Sequence, residues 1–497
     1  MATESVRRSR ELAAVPRPGR ATGSSRHSPE IGKWLGVAAA TLVLGLATAR
    51  VASSPRNGAL LLLAALIPFV LMVVRDVRRA LLVVVVFDTA FQWDKNFHYQ
   101  DAAAKLGALG GLSVSLTTIA LFGLYLMWFA EMAARRTAVP RGVARAALPL
   151  VVYTGITALS TVVAGDKTLS EFEVALLVQT LLLFVYVAGS IRTREDIRFV
   201  VVAIIACLFC ESLITLMLPY IGSHRIIGIS TYADTSGNGT GGGTDTRFGG
   251  TIGSPNTAAS FFSLLIAPCV ALIAAPFSRG VKQLAALAVG LATLALILTL
   301  SRGGWIALAV SLTFLTVVGL KRGWISPRIP IFVAIGLTVI VLPFSGRLTA
   351  RITGSDQGSA SSRIPLIHLA ENVIEDHPYL GVGANNLGLV FPTYAGPAYD
   401  RAWIYTVHNK YLLVWSEAGI GALLAFLWFL GSTLRRGWSL WRRDDPLLSP
   451  LALGLTAGII GQTVHMSVDI FQSRPQIQLL WLVAGLLVAM QNVARET

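Results

Sequence analysis

Residues 281–320 read VKQLAALAVGLATLALILTLSRGGWIALAVSLTFLTVVGL. As one helix this stretch would be about 60 Å long, twice the hydrocarbon thickness of a bilayer. It must therefore turn, and its polar break is Ser301-Arg302-Gly303-Gly304. Two apolar helices joined by so short a turn make a membrane hairpin. Similar apolar runs recur along the chain, so the predicted fold class is all-α: a polytopic membrane protein with about 12–14 transmembrane helices.

Composition agrees with this reading. Of the 497 residues, 54% are hydrophobic and 13% charged, and mean hydropathy is +0.65. Soluble domains carry roughly 25% charged residues. The net charge of +15 reads as basic loops that set topology and meet anionic lipid. The chain shows no basic-aromatic module of the kind that binds nucleic acid, so no nucleic-acid partner is expected. The three cysteines, Cys207, Cys210 and Cys269, all fall in apolar runs. Cys207 and Cys210 have a redox spacing, but inside an apolar helix such thiols behave as small buried hydrophobes.

Working outward, residues 1–33 hold seven Lys and Arg among Ser and Pro, and read as a disordered cytoplasmic tail. The first apolar run ends in Ala47-Thr48-Ala49, similar to a signal-peptidase site, but the long tail before it favours an uncleaved anchor. Predicted spans are 34–48, 58–75, 79–92, 113–133, 145–163, 171–190, 197–219, 256–276, 281–300, 303–320, 328–345, 409–431, 449–469 and 475–492. The third is short enough to be re-entrant. A Gly/Thr-rich patch at 235–243 reads as flexible. The transmembrane part thus divides into 34–345 and 409–492, and residues 346–408 form a polar segment of 63 residues between them.

With both termini in the cytoplasm, about 27 of the 41 Lys and Arg lie inside and about 14 outside. This bias puts the 346–408 segment on the far side, the periplasm of a Gram-negative cell. Loops longer than about 15 residues are usually functional or disordered. This one carries turn glycines, tyrosines and an amphipathic stretch, and reads as folded. Leu366, Ile367, Ala370, Val373 and Ile374 recur at helical spacing within 364–376. Ser361 or Ser362 can cap this helix and Pro378 follows it. The helix is expected to lie along the membrane face.

The Ser301–Gly304 turn opens a helix, whose N-terminal amides and dipole favour an anion. Arg302 adds a planar fork of donors suited to phosphate. The alternative is a tight hairpin with a snorkelling arginine. Arg363 stands in the first turn of the loop helix, where a cation opposes the dipole, so it either has an anionic partner or is an ordinary surface residue. Gly381-Val382-Gly383 reads as a turn. His408 closes the loop; it is either a general base or an interfacial hydrogen-bonding residue. His465 and Asp469, one helical turn apart, read as a structural pair locking helices, and Glu211 is similar. The chain has no Asp-x-Asp pair, zinc spacing, P-loop or nucleophile elbow. No metal and no cofactor are therefore expected, and the protein's own cations carry any catalysis.

Several of these segments, in order, resemble the bacterial O-antigen ligase and polymerase superfamily. Leu300-Ser301-Arg302-Gly303-Gly304-Trp305 resembles its Ser-Arg-Gly signature. Arg247-Phe248-Gly249-Gly250-Thr251-Ile252-Gly253-Ser254-Pro255-Asn256 resembles its Arg…Gly…Pro-Asn segment, and Arg363 through Gly383 its long outer loop. His408-Asn409-Lys410-Tyr411 with Glu417-Ala418-Gly419-Ile420-Gly421 resembles its His-Asn…Glu block, with the second glycine one residue early. The likeness covers roughly 245–425; the N-terminal half matches in being hydrophobic, and the family's usual twelve spans are fewer than the fourteen here.

The resemblance implies transfer of an undecaprenyl-pyrophosphate-linked glycan to an acceptor (lipid A core, protein or a growing polysaccharide) at the periplasmic face of the inner membrane. The reaction would be metal-independent and inverting. Arg302, Arg363 and Arg247 would bind the pyrophosphate and His408 would be the base. Ser301, Gly303, Asn256, Asn409, Tyr411 and Glu417 would support them. A flippase or other polysaccharide transporter is the competing class; such proteins show repeats and broken helices around a midplane site, whereas here the polar residues gather at one face.

Overall fold

A computed structural model of the chain describes residues 76–135, 141–221, 225–226, 229–234, 246–324, 342, 346, 349, 363–394 and 405–496. The helices are α1 (Val77–Phe87), α2 (Asp101–Lys105), α3 (Leu116–Arg135), α4 (Arg141–Ser160), α5 (Lys167–Ser190), α6 (Arg194–Ile221), α7 (Pro255–Ala271), α8 (Arg279–Leu298), α9 (Arg302–Lys321), α10 (Arg363–Asp376), α11 (Leu387–Tyr394), α12 (Lys410–Trp441), α13 (Leu448–His465) and α14 (Arg474–Glu496). Three antiparallel strand pairs join β1 (Asp94–Phe97) to β2 (Leu112–Ser115), β3 (Arg225–Ile226) to β4 (Ile229–Ser230), and β5 (Tyr232–Asp234) to β6 (Arg247–Gly250). Among the described residues, nine helices are long and apolar enough to cross a membrane. The protein is an all-α, multi-pass membrane protein.

The predicted spans 34–48, 58–75 and 328–345, the tail 1–33, the patch 235–243, and Ser361 and Ser362 lie outside the described residues. The run 79–92 is not a full span. Its helix, α1, stops after 11 residues. The cause is Asp88, whose carboxylate accepts from Thr117 N at 2.9 Å and pairs with Arg474 at 2.9 Å. A buried ion pair of this kind leaves the apolar pattern visible while ending the helix.

α13 is the centre of the bundle and packs against α7, α9 and α12. It is nearly all buried, so its neighbours are helices rather than lipid. That is why it can carry Gly454, Gly458 and Gly461, which seat against Ala271 and Pro268, Leu264, and Ala307 and Ser311. Small residues at such spacing let backbones approach closely.

The loops sort to two ends. At one, Arg79 pairs with Glu195 at 2.7 Å and Arg194 grips Asp445 with bonds of 3.1 and 2.6 Å. There Arg322 donates to the carbonyl of Arg442 at 2.8 Å, and Arg443 to that of Ala494 at 2.5 Å. This end collects the basic loops. The strand pairs, α10, α11 and the turn before α9 occupy the other.

α10 covers the predicted 363–376 helix. Its apolar face does not lie along the membrane. Leu366, Leu369, Ala370 and Val373 are buried against Val382, Leu387, Phe391, Val407 and Leu413. Each buried Leu or Val contributes about 1.5–3 kcal/mol, so this small core anchors the loop to the start of α12. The anchor is completed at Gly419, where α12 breaks with φ 81° and ψ 174°. The break exposes backbone to the turn after α10: Ile420 N donates to Pro378 O at 3.0 Å, Val382 N to Ser416 O at 3.0 Å, and Trp415 Nε1 to Pro378 O at 3.2 Å. A side chain at Gly419 would overlap the Tyr379 carbonyl.

Candidate active site

Four segments far apart in sequence meet at the loop end. The turn before α9 is built on a strained residue, Leu300, with φ 49°. Left-handed backbone costs a non-glycine residue about 1–2 kcal/mol. Ser301 makes no side-chain capping bond to the first turn of α9, and Arg302 is the first helical residue. Gly303 lets this turn sit on the end of α13: a Cβ there would lie 2.8 Å from Val468 and 2.9 Å from the His465 ring.

Arg247 reaches the same turn from β6. Its Nε donates to Thr299 O at 3.0 Å and its Nη2 to Asn256 Oδ1 at 2.8 Å. Asn256 lies in the first turn of α7, so the helix start and the strand fix one guanidinium between them. Behind β6, Thr251 N and Oγ1 donate to the buried Glu211 at 2.8 and 2.5 Å. Glu211 thus holds the end of the hairpin that carries Arg247.

His408 is half-buried and precedes α12. Thr406 N donates to Leu106 O at 3.1 Å and Lys410 N to Met466 O at 2.8 Å, so the backbone is held on both sides of it. Its ring lies 5.6 Å from that of Tyr405. Burial, and then the Arg363 guanidinium, push the imidazole down to about 4, while Asp469 acts in the opposite sense. The charges of Arg363 and Asp469 are felt at both His408 and His465. Arg363, His408, His465 and Asp469 are therefore neighbours, and His465 joins them to the Arg302–Gly303 turn. An imidazole with so low a proton affinity is neutral at physiological pH, and the Arg363 charge must be offset before it becomes an effective base.

The other sequence-selected residues sit around this centre. Asn409 caps α12, accepting from Tyr411 N at 3.0 Å and Leu412 N at 3.2 Å. The Tyr411 hydroxyl donates to Thr463 O at 2.8 Å. Glu417 lies deeper and accepts from Leu387 N at 3.1 Å, holding the start of α11. These bonds fix the frame around the site. Asp469 is tied by Gln476 at 2.6 Å and Phe471 N at 3.2 Å, so these bonds run to α14 and its approach rather than to His465.

Sequence reasoning passed over Tyr405, Thr299 and the pair Asn385-Asn386. Asn385 spans three segments: its Oδ1 accepts from Leu109 N and Gln472, and its Nδ2 donates to Leu169 O at 2.9 Å. Asn386 Oδ1 accepts from Asp166 N at 2.8 Å. The available signal was two adjacent amides following Gly383 in a loop otherwise poor in them.

A family model described as O-antigen ligase matches residues 287–427. The match supports the O-antigen ligase and polymerase superfamily. It runs from within α8 to the middle of α12, so the O-antigen ligase match includes Arg302, Arg363, His408 and Glu417. Arg247, Asn256, His465 and Asp469 reach the same place from outside it. The match supports ligase- or polymerase-type glycosyl transfer within a membrane, with a lipid-linked glycan and an acceptor as partners. Comparison with curated proteins gives no match.

Proposed function

We propose that the chain moves a glycan from a lipid pyrophosphate, undecaprenyl pyrophosphate in the simplest case, to an acceptor hydroxyl at the end of the bundle opposite the basic loops. Arg302, Arg363 and Arg247 bind the two phosphates, and His408 is the general base. The acceptor oxygen attacks the anomeric carbon as His408 takes its proton. The bond from that carbon to the phosphate oxygen breaks, and the lipid pyrophosphate leaves with the electron pair. Attack opposite the leaving group inverts the anomeric centre.

The observation that carries this reading is the convergence of Arg247, Arg302, Arg363 and His408 from four separate segments. Pyrophosphate is already a good leaving group, so it chiefly needs preorganised positive charge. Three arginines supply it, and bound pyrophosphate, by offsetting Arg363, raises the proton affinity of the neutral His408 toward what a base needs. A metal ion is then not required. By the distribution of basic loops, residues 346–408 face the periplasm, both termini the cytoplasm, and the membrane is the bacterial inner membrane. The acceptor is lipid A core, a protein or a growing polysaccharide.

The test is direct. Purified protein in lipid nanodiscs is incubated with a lipid-pyrophosphate oligosaccharide and each acceptor class, and products are identified by mass spectrometry. A glycosylated acceptor with inverted linkage is expected. Glycan crossing a sealed vesicle without transfer would replace this reading with transport.

A further inference from the structure

The segment 92–115 takes no part in the chemistry above, yet it walls the site on two sides. Its middle packs on the residues just before His408: Thr406 N donates to Leu106 O, and a Cβ at Gly107 would lie 2.8 Å from Thr406 and 3.0 Å from the Tyr405 ring. Its base abuts the turn after β6. A Cβ at Gly253 would lie 3.1 Å from the Gln92 amide, and just before the segment Ala90 O accepts from Thr251 Oγ1 at 3.1 Å. The β1–β2 hairpin therefore bridges from the His408 side to the Arg247 side.

This wall carries aromatic rings among polar side chains. Phe97 is 42% exposed, Tyr99 55%, and Tyr232 on β5 41%. Tyr99 is supported on one side: its ring lies where Cβ atoms at Gly110 and Gly111 would meet it at 2.8 and 3.3 Å. The Lys95 ammonium sits 5.2 Å from the Phe97 ring centre. Tyr232 pairs with Gly250 across β5–β6, next to the Thr251 hydroxyl that meets Ala90, and burial, then the charges of Asp94 and Tyr99, push its phenol up. Asp94, Lys95, Asn96, His98, Gln100 and Asp101 flank Phe97 and Tyr99 in the chain. Such a run of charge does not sit in hydrocarbon, so the rings face water or headgroups. A ring backed by glycine and open in front, with amide, ammonium and carboxylate groups beside it, suits a pyranose: its C–H face lies on the ring and its hydroxyls meet the polar groups.

We propose that the β1–β2 hairpin and Tyr232 form a glycan-binding wall, on which Tyr99 and Tyr232 stack sugars of the chain beyond the residue being transferred. This rests on the transferase reading for its place in a reaction, but the binding can be measured without turnover.

The test uses full-length protein in nanodiscs and four probes, maltohexaose, mannohexaose, galactohexaose and chitohexaose, with saturation-transfer NMR as readout. At least one hexasaccharide is expected to bind. Its Kd should rise at least about tenfold in Tyr99→Ala and in Tyr232→Ala, and stay within about twofold in Tyr99→Phe and Tyr232→Phe. His408→Ala should bind as the parent does. Displacement of the hexasaccharide by a lipid-pyrophosphate donor bearing the same sugar assigns the wall to the donor chain; binding that persists at saturating donor assigns it to the acceptor. Absence of binding by all four, or unchanged binding in both alanine variants, overturns the proposal; the latter is what a membrane-anchoring role for these rings gives. Hexasaccharide binding that depends on Tyr99 and Tyr232 in a protein that transfers no glycan keeps the wall and removes the transferase reading. Transfer that proceeds alongside binding indifferent to both tyrosines removes the wall alone.

Discussion

The guanidinium of Arg247 donates to the backbone carbonyl of Thr299 at 3.0 Å. Those residues are 52 positions apart, and the bond ties the strand before α7 to the turn before α9. Asn256 is a second tether on the same guanidinium. Asn256→Ala should therefore lower transfer by roughly 10- to 100-fold, the effect of one lost hydrogen bond to a charged group. Steady-state kinetics at matched expression checks it, and full activity in this variant would show that Arg247 orients itself without help.

Arg302→Lys keeps the charge at the start of α9 but loses the planar fork. Lysine is a point charge and cannot grip two phosphate oxygens at once. Losing one such contact in a dry site costs about 2–4 kcal/mol, so transfer should fall about 30- to 1000-fold. Wild-type rates would leave Arg302 as a hairpin anchor.

For His408, the sign of the pH effect follows from its depressed proton affinity. The imidazole is neutral and competent above about pH 4, and activity is lost as pH falls through that value. Against free enzyme, kcat/KM should hold its acid limb near 4. Once bound pyrophosphate offsets Arg363, the imidazole binds its proton more readily, so the limb of kcat should lie at higher pH. Asp469→Asn removes a charge that favours protonation and should move the kcat/KM limb lower still. His408→Ala should slow transfer by about 10²–10⁴-fold while donor binding persists. A kcat/KM profile flat through the acid limb would point to a different base.

Transfer should survive EDTA, because three arginines supply the positive charge that a divalent cation supplies elsewhere. Loss on chelation with recovery on added Mg²⁺ or Mn²⁺ would contradict the arginine mechanism.

Gly419→Ala should release the outer loop from α12. Alanine at φ 81° is strained, and its Cβ would overlap the Tyr379 carbonyl. The loss is at least about 2 kcal/mol. Limited proteolysis should then cut between α10 and α11, and transfer should fall with it. A cysteine at exposed Glu371 should be labelled from outside intact cells and one at exposed Ser439 protected, which tests the orientation of the same loop.

The sequence alone was enough for the all-α membrane class, most spans, and the bounds of the helix 363–376. Each of these rests on local periodicity: apolar runs near 20 residues, a 3–4 repeat, a glycine break. Local chemistry singled out Arg302, Arg363 and His408 as candidates, because charged residues at the ends of apolar helices are few; Arg247 entered through the family resemblance alone. Tertiary structure decided which segments meet. α1 ends early because Asp88 finds Arg474, 386 positions away. The loop helix buries its apolar face in protein because Gly419 opens α12 to receive the turn that follows it. Tyr405, Thr299 and Asn385 matter through partners 50 to 280 residues distant, or through one ring contact. Such pairings leave no period in the chain, since a hydrogen bond between remote segments constrains only two positions and any polar residue can occupy either.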